Sequence, residues 1–228
     1  MELVGSIFTA PRAAFLELRE RPRWLLPLLA LLVGTVGVMA WYYATVDIAW
    51  LGEHVIDNAA RQRPMPEAAR TKALATMTRP VMMGSALVAT TLFLLLARVL
   101  EAGYFSLAGK ITNVQYSYRH WLALAWWSGL PHVLSILVVA GYLLVAPTTQ
   151  IAAEDLQLLS LNELFFHRSA GEPGYTLLVS ITLLHPWVWA LTVIGVRAWS
   201  GRSLLFSTVF GLLPTALVYA GWALFAFR

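Results

Sequence analysis

The chain reads as an all-α integral membrane protein. Five transmembrane helices follow a short amphipathic interfacial helix, and the outer loops are helical. Three observations carry this expectation. Hydrophobic residues make up 59% of the sequence and charged residues 12%, about half the ~25% charged content of soluble domains. Five charge-poor apolar stretches, at about 24–46, 80–105, 121–146, 174–196 and 203–226, each reach the ~20 residues that cross a ~30 Å hydrocarbon core as a helix. No succession of short alternating segments offers a β-barrel instead. Backbone in lipid must bond internally, so spans of this kind are helices. The length suits one membrane domain, residues 1–228, without a separate soluble catalytic domain.

The segment before the first span, residues 1–23, sets the orientation. Thr9 is placed to cap a helix, Pro11 suits its first turn, and Pro11, Ala14, Phe15 and Leu18 recur at helical spacing. This predicts an amphipathic helix lying in the cytoplasmic interface with its apolar side in lipid. Pro22 disfavours helix at Arg21 and ends it. The first span is too long and apolar for a cleaved signal, and Trp41-Tyr42-Tyr43 stands where small cleavage-site residues belong. With five spans, nine Lys and Arg (Arg12, Arg19, Arg21 and Arg23; Arg98, Lys110 and Arg119; Arg197 and Arg202) share the side of the N-terminus. Seven share the other, Arg228 among them. Weighting the short loops predicts a cytoplasmic N-terminus and an outer C-terminus.

The outer loops carry pattern of their own. Residues 47–79 hold two helical stretches divided by Pro64-Met65-Pro66. Residues 154–166, EDLQLLSLNELFF, predict an apolar helix against the outer leaflet or a partner. The ten tryptophans read mostly as interfacial belt residues. Recurrent small residues, such as Gly34 and Gly37 or Ala216 and Ala220, allow close helix approach.

A catalytic set is missing. HExxH, Walker, GxSxG and GxGxxG motifs are absent, as is cysteine, and the five histidines form no local cluster with carboxylates. No catalytic residue, metal site or cofactor is expected, and the modest +4 charge fits headgroup and orientation chemistry rather than nucleic acid. Ionisable residues at membrane depth are the functional candidates. His132 follows Pro131 in the third span and His185 precedes Pro186 in the fourth, at similar depth. Each is placed to donate to a backbone carbonyl freed by proline, with a proton relay, a metal site or a substrate contact as the alternatives, which gain weight if the two face one another. Arg98 and Glu101, spaced i,i+3, are expected to pair on one helix face.

Three stretches together resemble the Yip1 domain family in its bacterial branch: IFTAPRAAFLELRERPRWLLPLL, GKITNVQYSYRHWLALAWWSGLP and WALTVIGVRAWSGRSLLFSTVFGLLP. The resemblance implies a non-enzymatic membrane protein acting through partners. Eukaryotic members bind Rab GTPases, but their acidic DLYGP-type motif is absent here, so a GTPase-interacting trafficking role comes last among the readings. Some bacterial relatives accompany MacB-like ABC exporters and periplasmic adaptors, which implies an accessory subunit. Pro11, Phe15, Arg19 and Arg21 inside, and Leu161, Phe165 and Phe166 outside, are the expected partner contacts. A small transporter, scramblase or proton-linked channel centred on His132 and His185 is the alternative. The bilayer, other membrane proteins and a second copy of the chain are the candidate partners.

Overall fold

A computed structural model describes residues 2–227. It is helical, and among the described residues the only strand-like pairing is an isolated bridge between Ser160 and Thr182. Eleven α-helices follow in order: α1 (Glu2–Thr9), α2 (Pro11–Glu20), α3 (Leu25–Thr45), α4 (Ile48–Gln62), α5 (Glu67–Thr76), α6 (Arg79–Thr112), α7 (Tyr118–Ser128), α8 (Val133–Val145), α9 (Tyr175–Ser180), α10 (His185–Ser200) and α11 (Leu204–Ala226).

Four helical segments are long and apolar enough to span a membrane: α3, α6, α7 with α8, and α11. The protein is therefore membrane-integral by length and composition. The expected fourth span, 174–196, is not one helix. α9 stops at Ser180, and residues 181–184 turn before α10 begins. Extended backbone there is bonded: Leu161 N–H donates to Ile181 O at 2.8 Å. Pro186 then fits the first turn of α10, where no N–H is needed. α6 corrects a boundary in the other direction. It runs to Thr112 because Asn113, at φ 59°, is the first residue to leave the helical region. At ~1.5 Å per residue its 34 residues extend about 51 Å, well beyond a ~30 Å core.

The chain falls into two compact units: residues 1–32, 93–133 and 183–222, and residues 33–92, 134–182 and 223–228. The nine basic residues assigned above to one side all lie in the first unit, and six of the other seven lie in the second. Arg228 lies outside the described residues.

In the first unit, aromatic rings make the core. Phe105 stacks on Phe210 at 5.8 Å, and Trp121 meets both Phe210 and Trp199. Trp121, Trp126 and Trp127 are all buried, so these three are not belt residues. α2 is amphipathic as expected, with Pro11 in its first turn, but Ala10 rather than Thr9 precedes it, and Thr9 Oγ1 donates back to Gly5 O within α1. Its apolar face is not spent on lipid. Ala14, Phe15 and Leu18 are buried in the aromatic core. The close seat exists because residue 195 is glycine. A Cβ there would lie 3.1 Å from the Phe15 ring and 3.0 Å from Leu124. Trp199 Nε1 donates to Phe15 O at 2.6 Å, and Trp127 Nε1 to Arg23 O at 2.5 Å, which fixes both ends of the segment. Pro214, inside α11, removes the donor that would serve Phe210 O, and the Tyr104 hydroxyl supplies one at 3.0 Å.

In the second unit, Tyr42, Val46, Leu51 and Ile151 pack together, and the Tyr42 hydroxyl donates to Ile151 O at 2.9 Å. The two helices expected in 47–79 are α4 and α5, parted by the exposed Pro64–Pro66 tip. Asp47 caps α4 by accepting Trp50 N–H at 3.1 Å. Arg79, first residue of α6, donates to Tyr43 O and to Val46 O, the latter at 3.0 Å, and so closes the end of α3. The helix expected over 154–166 breaks into two short turns, 153–156 and 162–166. Asn162 is the cause. Its side chain accepts Arg168 N–H at 3.0 Å and donates to Arg168 O at 3.1 Å, pinning a tight turn that ends at His167 in the left-handed region.

Candidate functional site

The first unit gathers the polar residues expected at membrane depth. The α7 helix ends at Gly129, and a single 3-10 turn over Leu130–His132 carries Pro131 before α8 starts. That turn aims His132 at His185, the first residue of α10. Their rings lie 5.5 Å apart, edge to face. The Tyr219 hydroxyl of α11 lies 3.2 Å from His185 Nε2, and the Trp189 ring is 5.7 Å from the same imidazole. Two histidines 53 positions apart in sequence thus share one site with a phenol.

Arg98 and Glu101 pair as their spacing predicts, Nη1 to Oε2 at 2.7 Å, with side chains 13% and 21% exposed. The guanidinium packs over Gly129, where an added Cβ would fall 2.7 Å from Nη2. Glycine at the α7 terminus therefore lets a charged group lie on the turn that carries His132. Arg98 Nε and Ser128 Oγ are buried with no hydrogen-bond partner among the described residues, an arrangement uncommon in well-packed interiors. Chemically, the site offers two imidazoles, a phenol and a neutralised ion pair, a set that can pass or hold protons. No group of three His, Cys, Asp or Glu among the described residues is disposed to hold a metal ion.

Sequence reasoning missed Tyr219 and Gly129. A phenol well inside the last span, away from its interfacial ends, was the available signal. Pro186, in the first turn of α10, displaces no helical bond, and the carbonyl that Pro214 frees at Phe210 is served by Tyr104.

The expected partner contacts divide sharply. Phe15 is 0% exposed and belongs to the core, a correction caused by the packing of α2 on α10. Pro11 and Arg19 are half-buried and Arg21 is exposed. The His120 ring reaches Arg19 O at 3.1 Å, so that backbone is engaged as well. In the second unit Leu161 is half-buried, while Phe165 and Phe166 are 63% and 53% exposed. The Asn162 clasp holds these two rings outward on a rigid turn.

No curated protein and no solved structure matches the chain. The Yip1 domain family matches residues 5–225, across both compact units and nearly end to end. With its spans, its ordered motifs and that match, the chain belongs to the Yip1 domain family.

Proposed function

We propose that the chain is a non-enzymatic accessory or scaffold subunit of a larger membrane assembly. In this reading it sits in a bacterial inner membrane, N-terminus inside and C-terminus outside. An ABC exporter of the MacB type with its periplasmic adaptor is the assembly that the bacterial branch of the family suggests. The observation that carries the reading is the Phe165–Phe166 knob, two exposed phenyl rings held out by a doubly bonded asparagine. Rigid, exposed aromatics are the usual anchors of protein interfaces. Gentle extraction of the N-terminally tagged chain from native membranes tests it. A companion at fixed stoichiometry, lost in Phe165→Ala/Phe166→Ala, is expected. A solitary protein ends the scaffold reading.

The meeting of His132, His185 and Tyr219 favours a second reading, in which the chain itself moves a proton or small solute. The wild-type protein in liposomes under an imposed pH gradient would then dissipate it. The His132→Ala/His185→Ala variant would not. Equal rates in the two remove this reading.

A further inference from the structure

The second unit contains a polar cavity of about 250 Å³ that neither reading uses. One wall is α4, which presents His54, Asn58 and Arg61 at i, i+4 and i+7, a single helical stripe. Facing them is Glu154, whose Oε1 lies 2.6 Å from His54 Nε2 and 3.3 Å from Asn58 Nδ2. The Trp50 indole stacks on the His54 ring at 5.1 Å and fixes its plane. Every described bond to Glu154 falls on Oε1, so its orientation is set while Oε2 remains for another donor.

Charges of both signs converge here. Asp155 and Glu163 line the same cavity, and with Glu154 they lie within electrostatic reach of the Tyr175 hydroxyl. Arg61 and Arg168 supply the opposite sign. Arg168 is positioned by donating to Pro173 O and by lying 5.5 Å over the Phe227 ring, which leaves donors for a ligand. The carboxylates do not converge as a metal set. A simple anion would meet three carboxylates, and a simple cation two guanidiniums. A small ligand carrying both charges meets each with its complement.

We propose that this cavity binds a small zwitterion bearing a primary ammonium and a phosphate, the phosphoethanolamine chemistry found in a lipid headgroup or in its free soluble form. The ammonium donates to Glu154 Oε2 and Glu163, and the guanidinium of Arg61 takes phosphate oxygens in a forked pair. A quaternary ammonium has no N–H to donate, so phosphocholine is the discriminated analogue.

The test uses the purified full chain. Glycerophosphoethanolamine and glycerophosphocholine are titrated calorimetrically against delipidated protein in detergent. In parallel, nanodiscs of mixed phosphatidylethanolamine and phosphatidylcholine are analysed for retained lipid by native mass spectrometry. Arg61 and Glu163 are exposed and their side chains make no described bond, so Arg61→Gln and Glu163→Gln leave the fold intact. Each is expected to weaken ethanolamine binding about tenfold, equivalent to about 1.4 kcal/mol, and the choline analogue to bind at least as poorly. Binding of the free compound identifies a soluble source of the ligand. Selective retention in nanodiscs alone identifies the lipid. Equal retention of both headgroups, binding unchanged in both variants, or no binding in either format overturns the proposal.

Discussion

The two compact units are held by different chemistry. In the first, aromatic side chains supply both the core and the fastenings: indoles of Trp127 and Trp199 and phenols of Tyr104 and Tyr116 each donate to a backbone carbonyl. In the second, charged and amide groups do more of that work. Arg79 closes α3, Asn162 pins its own turn, and Glu154 gathers His54 and Asn58. An aromatic donor buries a large apolar body with its single polar atom, so it fastens backbone without stranding charge. An ionic or amide fastener needs several partners and suits segments that water reaches. The contrast identifies which part of the molecule should respond to packing and which to pH.

The largest break in that contrast is expected from Phe15→Ala. Removing a fully buried ring from the aromatic core should cost about 3–5 kcal/mol, read as a lowered thermal unfolding midpoint in detergent. An unchanged midpoint would mean that α2 does not pack as described. Next comes Arg79→Met, which keeps the stem but leaves the Tyr43 and Val46 carbonyls unserved. About 1–3 kcal/mol is expected, with the loss appearing as faster proteolysis within residues 47–78 and no change in the first unit. The smallest effect is Asp47→Asn. The Trp50 N–H, aided by Gln150, Ala49 and Arg79, holds the Asp47 carboxyl below the usual carboxylate range. A depressed pKa contributes stability that is complete above the ordinary carboxylate value and fades as pH falls through the lowered one. Asparagine keeps the capping acceptor but not the charge. The variant should therefore match the wild type in acid and lose only the increment gained on returning to neutral pH. An identical pH profile in the two proteins would remove Asp47 from this account.

Much of this was legible in the residues, and the failures share a cause. Runs of uninterrupted apolar residues locate α3 and α11 almost to the residue, and Pro64-Met65-Pro66 locates the division of the first outer loop. The i,i+3 pairing of Arg98 with Glu101 is local and was readable. Contacts made at long range were not. The apolar stripe of α2 is equally compatible with lipid or with a protein groove, and only Gly195, far along the chain, shows that a groove exists. Residues 154–166 have helical periodicity, but the bonds of Asn162 to Arg168 and of Leu161 to Ile181 compete successfully with it. The same competition interrupts the expected fourth span. The juxtaposition of His132 and His185 depended on where two separate helices begin, and similar depth was the only hint that sequence offered.

Arg79 has an evolutionary consequence. Because its guanidinium joins the start of α6 to the end of α3, the excursion between them returns to a fixed anchor whatever its length. Doubling a flexible loop adds only about 0.6 kcal/mol of closure entropy. Insertions and deletions at the exposed Pro64–Pro66 tip should therefore be cheap, leaving this part of the chain free to diverge in length between relatives while position 79 remains arginine.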